Sequence, residues 1–295
     1  MGLIAEVEKK KRELDRQIFL PAVQDDILVE QASQKSTSND SVLRLLEVQE
    51  ILQSTKDDIR KYRKHKHLIR VPTGIEGLDD VMEGGLRMGT VNLVGGGAGC
   101  GKSILSMQYL VEGIRKYDEP GIYVSFEENP EKIIQDFTSF GWDLREYVEN
   151  KKLVILYYTP EQVERFLESG GGIVRDLVET LGIKRMVVDS LTAFSLLFLT
   201  ELEKTKGILK LFDSIHEWGV TSLMTSEQEP NPILHKSTVV EFQVDGVILL
   251  YNVRKGDIRE RSLEIFKMRA TRHSAKIFPM QITNTGVTIF PEEPV

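Results

Sequence analysis

The chain has one cysteine, Cys100, in 295 residues. An internal disulfide is therefore excluded, which favours a reducing compartment. Long apolar runs are missing as well. The longest candidate, around SLLFLT, is far short of the roughly 20 residues that cross a bilayer. The N-terminus carries charge from Glu6 onward and lacks the apolar core of a secretory signal. MGLIAE begins like a myristoylation motif, but Glu6 stands where serine or threonine is required. His65, His67, His216 and His235 show no metal-ligand spacing, and one cysteine leaves no zinc site. These absences predict a cytoplasmic protein without membrane insertion. An excess of positive charge is also lacking. The net charge is −7, and the imbalance lies beyond residue 70, where 24 Lys+Arg face 33 Asp+Glu. Because phosphate neutralisation dominates duplex binding, the main body argues against nucleic acid as its chief partner.

What is present is ordinary globular material, 41% hydrophobic and 28% charged. The length suits one large domain with an appendage. Residues 1–69 read as a helical N-terminal extension. A charged helix over 3–18 is followed by the polar linker QASQKSTSND, then by a second helix with apolar positions from Val42 to Ile59. That helix ends in the basic run RKYRKHKH, which reads as a solvated helix end or as a contact for an acidic partner or nucleic acid. From Arg70 the texture changes. TVNLV, GIYVSF, LVILYY, RMVVD and VTSLMTS read as buried strands. Helical stretches lie at 102–116 and near 130–140, 161–181 and 201–217. Such alternation predicts an α/β fold with a mostly parallel sheet flanked by helices. Short strands near 246–252, 261–269, 277–282 and 286–290 predict a C-terminal antiparallel extension.

The nine residues GGGAGCGKS hold five glycines. They follow a predicted strand and open a predicted helix, the context a phosphate-binding loop requires. Gly96, Gly97, Ala98, Gly99, Cys100 and Gly101 would converge their N–H groups into an anion-binding concavity, with the helix N-terminus behind them. Lys102 would face the outer phosphates of ATP, and Ser103 would offer a hydroxyl to Mg2+. Cys100 reads as a small filler, with a redox role as the lesser alternative. RMVVDS matches the Walker B pattern, placing Asp189 near Mg2+ or its waters. In FEENP, Glu127 and Glu128 stand at a strand's C-terminal end, where one could polarise a water. Asn129 and Pro130 equally suggest a helix cap with dipole-favoured acids. Lys267 and Arg269 project to one face of a late strand. They read either as cations that neutralise transition-state charge or as guards of an exposed edge. Trp142 and Trp218 read as packing residues.

In order along the chain stand VPTGIEGLDDVMEGGL, GGGAGCGKS, YVSFEENP, SFGWDL, VVDSLTAF and FKMRATRH. Together they closely resemble the KaiC-like branch of the RecA superfamily, over about 70–291. The resemblance implies a RecA-like P-loop NTPase core spanning 70–295, with the C-terminal antiparallel extension already read from the strands. It implies an ATPase that assembles into a homo-oligomeric ring, typically a hexamer, with ATP between neighbouring subunits. It makes Glu127 and Glu128 the water-activating pair, with Glu128 also near the metal. It makes Lys267 and Arg269, flanking Met268, a trans-acting pair that reaches the neighbour's γ-phosphate. Further positions match nucleotide contacts: Ser139 on one side, and Thr271, His273, Thr283 and Asn284 on the other. Asn284 stands where aspartate is common.

Two departures matter. Family members can carry two such domains in tandem, and this chain has one. Members that phosphorylate themselves do so at an adjacent Ser-Thr pair just before the strand matching DGVILL, where this chain has Glu241 and Phe242; Ser237 and Thr238 lie nearby. The reading is a regulatory ATPase, with residues 1–69 as the place for a protein partner. The alternatives are a serine/threonine autokinase and a recombinase-like protein that binds single-stranded DNA. The segment EQEPNPILHKSTVVEFQ, with three glutamates against a lone Lys236, is poorly equipped for phosphate contacts.

Overall fold

Near-continuous apolar strands need cover on both faces, and the chain supplies it. The computed structural model describes residues 69–292 except 160–161, 164–165, 167–170, 229–234 and 236. The predicted N-terminal helices and their basic run lie outside the described residues. Strands β1 (Arg70–Val71) and β2 (Leu86–Arg87) pair with each other. The remaining strands form one nine-stranded sheet. They are β3 (Val91–Gly96), β4 (Gly121–Ser125), β5 (Leu153–Tyr157), β6 (Arg185–Asp189), β7 (Thr221–Glu227), β8 (Gly246–Lys255), β9 (Ile258–Met268), β10 (Ile277–Thr283) and β11 (Gly286–Ile289). The order is β11-β10-β9-β8-β3-β7-β6-β4-β5. From β5 through β8 all pairs are parallel. From β8 to β11 they are antiparallel. The expected split between a parallel core and an antiparallel extension is therefore the observed one.

Helices on both faces make the crossovers. They are α1 (Lys102–Tyr117), α2 (Pro130–Phe137), α3 (Leu144–Glu149), α4 (Gly172–Leu181), α5 (Leu191–Ser195), α6 (Glu201–Trp218) and α7 (Val239–Gln243). Alternate strand residues enter opposite cores. Leu93, Ile122, Val124, Met186, Val188 and Met224 face one, and Val94, Tyr123, Val187 and Leu223 the other. On the first side they meet Val174 and Val178 of α4 and Ile208, Leu211 and Ile215 of α6. On the second they meet Leu105, Leu110, Val111 and Ile114 of α1. Each such leucine or isoleucine contributes about 1.5–3 kcal/mol by burial. A capping box, in which Thr200 and Glu203 satisfy each other's backbone N–H groups, starts α6 and adds about 1 kcal/mol.

The short elements α3, α5, α7 and the β1–β2 pair are not part of the sequence expectation, because each is too short to show a period. The helix expected near 161–181 is observed over Gly172–Leu181. Much of the earlier part of that stretch lies outside the described residues. Among the described residues, no helix is long and apolar enough to cross a membrane.

Candidate active site

The loop after β3 and the start of α1 form the centre of the site. Gly99 and Gly101 have φ of +70° and +104°, conformations that glycine takes without strain. Gly96 is tight for another reason. A Cβ there would lie 2.5 Å from Cys100 Sγ and 2.7 Å from the carbonyl oxygen of Leu250. Cys100 is fully buried beneath the loop, and burial pushes its thiol up, opposed by the Lys102 charge. A raised pKa leaves less thiolate at neutral pH, and thiolate is the reactive form. Cys100 is thus a filler. Maleimide labelling of the native protein should be on the order of 10²-fold slower than in denaturant, because it waits on local opening. Native labelling as fast as the denatured rate would overturn this.

Lys102 folds back on its own loop. Its Nζ donates to the carbonyl oxygens of Gly96 at 2.9 Å and Gly97 at 3.0 Å. A cleft of about 520 Å³ opens above it, lined by Gly99, Gly101, Lys102, Ser103, Arg261 and Ile282. Arg261, from β9, donates Nε to the carbonyl of Gly99 at 3.2 Å. This second cation at the loop is a residue that sequence reasoning missed. In IRERS, Arg261 stands among polar neighbours, and nothing in that pattern separates it from a solvent-facing position.

The carboxylates stand at the same edge of the sheet. Ser125 at the end of β4 pairs with Asp189 at the end of β6. Asp189 Oδ2 accepts from Tyr123 on one flanking strand and Oδ1 from Thr225 on the other. Burial, and then the Asp189 charge itself, hold the Tyr123 phenol well above its ordinary value, so it stays protonated and donates. The adjacent glutamates diverge. Glu127 accepts from Ser190 Oγ at 2.6 Å, one residue past Asp189. Glu128 pairs instead with Lys132 on the first turn of α2. Asn129 caps that helix through Lys132 N at 3.0 Å, with Pro130 at its first position. The two glutamates thus part company: Glu127 faces the strand that ends in Asp189, and Glu128 belongs to the helix start.

The donors fit a nucleotide with Mg2+. Among the described residues no group of three or more His, Cys, Asp or Glu could hold a metal by itself. A P-loop Mg2+ does not need one, since it takes one hydroxyl, phosphate oxygens and waters oriented by a carboxylate. Ser103 in the cleft and Asp189 at the end of β6 have the chemistry of such a pair.

Lys267, Met268 and Arg269 are elsewhere. β9 runs antiparallel to β8, with Met268 opposite Gly246, and Gly246 beside Asn92 near the start of β3. The P-loop follows Gly96 at the other end. From Arg261 to Lys267 along β9 is about 20 Å at ~3.3 Å per residue. Lys267 donates to the carbonyls of Glu241 at 2.8 Å, Phe242 at 3.1 Å and Val244 at 2.7 Å. Burial, and then the Arg269 charge, pull its ammonium below the ordinary lysine value. Arg269 Nη2 donates to Phe242 O at 2.9 Å, and half of its side chain is exposed.

Thr271 and His273 share that far end. Thr271 accepts from Arg70 at 2.7 Å and His273 contacts the Ser274 carbonyl. The resemblance grouped Thr283 and Asn284 with them, but the register separates the two sets. β10 continues past the pairing of Met280 with Arg261 toward the P-loop end, where Ile282 closes on Gly101. Ser139 lies exposed in a short 3-10 turn, beside Phe140, which stacks on buried Trp142 at 4.9 Å. At the place of the family's phosphorylated pair, Glu241 is buried and Phe242 is exposed. Thr238 Oγ1 accepts from Glu241 N as the cap of α7.

A family model described as "ATPase: KaiC" matches residues 71–294. The circadian clock oscillator protein KaiC of Parasynechococcus marenigrum (strain WH8102) is 39% identical over 213 residues, covering 69% of this chain and 41% of that protein. KaiC of Synechococcus elongatus (strain ATCC 33912 / PCC 7942 / FACHB-805) is 37% identical over 219 residues, covering 71% and 42%. The chain therefore matches about two fifths of the length of these clock proteins. The crystal structure of a KaiC-like protein from the hyperthermophilic archaeon Pyrococcus horikoshii OT3 superposes with a TM-score of 0.69. It is 34% identical, and the match covers 76% of this chain and all of that one.

Proposed function

The chain belongs to the KaiC family of ATPases, and on that premise we propose that it is a Mg2+-dependent, ring-forming regulatory ATPase whose site is completed by the neighbouring copy. One observation carries this reading. Lys267 and Arg269 sit at the opposite end of the sheet from the P-loop of their own subunit. At about 20 Å along β9, they cannot serve their own site. A second copy can bring them to it.

In the proposed reaction the P-loop N–H groups hold the phosphates, and Lys102 exchanges its two loop carbonyls for phosphate oxygens. Mg2+, when bound, neutralises charge on the β- and γ-phosphates. Ser103 and Asp189 hold that ion or its waters. Arg261 adds a positive charge from within the subunit. Glu127 takes the proton of the attacking water. Arg269, with the Lys267 charge behind it, meets the charge that develops on the neighbour's γ-phosphate. ATP favours the assembled state because it binds that state better. Residues 1–69 precede the family match and would serve a protein partner outside the ATPase body.

The test is mass in solution with and without ATP–Mg2+, coupled to turnover measured across a dilution series. Turnover per subunit should rise steeply with protein concentration, in step with the mass. A rate per subunit that stays flat from the dissociated to the assembled range would overturn the shared site.

A further inference from the structure

Both far-end cations bond to one short element, with Arg269 also 3.6 Å from the Asp245 carboxylate just past it, and that element is tied to the P-loop. Glu241 is the tie. Its carboxylate is 1% exposed and gathers three donors. Oε1 accepts from Gln228 Nε2 at 3.2 Å, Oε2 accepts from Thr238 N at 2.8 Å, and His235 Nε2 lies 3.0 and 3.1 Å from the two oxygens. Buried carboxylates with charge-assisted bonds on both oxygens hold their surroundings in one arrangement. What this one fixes is α7, whose terminal carbonyls hold Lys267 and Arg269. The three carbonyls take all three protons of the Lys267 ammonium. Lys267 is therefore a mount in this arrangement, while the Arg269 side chain, bonded to Phe242 O and near Asp245, stays half exposed.

The other end of the tie is Gln228. Its backbone N–H donates to the carbonyl of Gly96 at 3.2 Å, the same oxygen that accepts from Lys102 at 2.9 Å. Its side chain crosses directly over Gly95, where a Cβ would lie 1.8 Å from Nε2. Only glycine at 95 admits that path. A bound phosphate would compete for Lys102, and if Lys102 leaves Gly96 O, only the Gln228 donor remains on that oxygen. Loading the P-loop would thus change the anchor of the chain that runs Gly96–Gln228–Glu241–α7–Lys267/Arg269.

We infer that Glu241 is a positioning residue for the trans-acting cations, linking the P-loop of its own subunit to the Lys267 and Arg269 it offers the next. The inference rests on the shared-site reading above. Contiguous contacts alone do not demonstrate coupling, so the test must separate an effect on the subunit's own site from one on its neighbour's. Glu241→Gln puts an amide N–H among three donors and breaks the hub. Alone, it should lower turnover about tenfold or more, as loss of an outer-shell support does, with ATP affinity by equilibrium binding unchanged. Full-length Glu241→Gln is then mixed with full-length Glu127→Gln/Glu128→Gln, which keeps ATP binding and intact cations but does not turn over. Turnover should recover, because intact cations now reach the P-loops of the Glu241→Gln subunits. Arg269→Ala mixed with the same donor is the control and should recover too. Recovery of Arg269→Ala without recovery of Glu241→Gln overturns the Glu241 assignment and leaves the shared site standing. Failure of both overturns both. Wild-type turnover in Glu241→Gln alone also overturns the assignment. If Glu241→Gln does not fold, Gln228→Ala cuts the same tie from its other end. It should show loss in the same direction and the same recovery in the mixture; undiminished turnover in Gln228→Ala overturns the tie.

Discussion

Arg269→Ala lowers ATP turnover by about 10³-fold, the lower end of what a transition-state arginine supplies, and leaves ATP binding within its own subunit intact. The expectation follows from position. Arg269 is half exposed at the far end of the sheet, so it contributes nothing to the phosphates held by its own P-loop. Of the two cations it is the one with N–H groups to spare, because Lys267 has given its protons to the end of α7. Arg269→Lys should not rescue, since a lysine cannot hold Phe242 O and also present a planar fork to a phosphate. Steady-state rates give the loss in turnover, and calorimetric titration of a non-hydrolysed ATP analogue gives the affinity. Turnover near wild type would remove Arg269 from the reaction. A matching loss of affinity would place it in the ground-state site.

Glu127→Gln lowers turnover by about 10²- to 10³-fold, the range for removing a general base, whereas Glu128→Gln costs less than about tenfold. The two residues are adjacent and chemically identical, so only their surroundings can separate them. Glu127 is held by Ser190, next to Asp189, at the edge where the strands of the parallel sheet end. Glu128 is turned onto Lys132, four residues along a helix surface, and solvent-exposed pairs of that kind are worth little. Rates measured at saturating ATP isolate the chemical step from binding. If Glu128→Gln is the more damaging, the roles are exchanged, and the Lys132 pair must open when nucleotide binds.

The parallel strands were readable because a strand covered on both faces has to be apolar throughout. RMVVD became β6 over the same residues, Arg185–Asp189. The P-loop was readable because its glycines are needed locally. α7 was not, since five residues between a loop and a strand carry no period. Arg185 was not readable as a buried group either. It looks like the charged start of an apolar strand, yet it is fully buried. Glu119 pairs with it at 2.7 Å, and Gly113 makes room, since a Cβ there would lie 2.4 Å from its side chain. In the sequence Glu241 reads as an acid where a hydroxyl would be phosphorylated and as one charge of an acidic segment, and its place as a hub needs Gln228 and His235 around it.

By itself the sequence determined that this chain has the P-loop α/β fold of the KaiC family, and which residues offer charge and hydroxyls beside the glycine-rich loop. Those properties depend on neighbours within a few positions: glycine runs, apolar strands, a cap. Only the tertiary structure decided which group stands at which end of the sheet. It set Arg261 at its own P-loop and Lys267 and Arg269 at the opposite end of the same strand. It turned Glu127 toward Asp189 and Glu128 away. Those assignments depend on strand register and on contacts between residues far apart in the chain, and local sequence pattern contains neither.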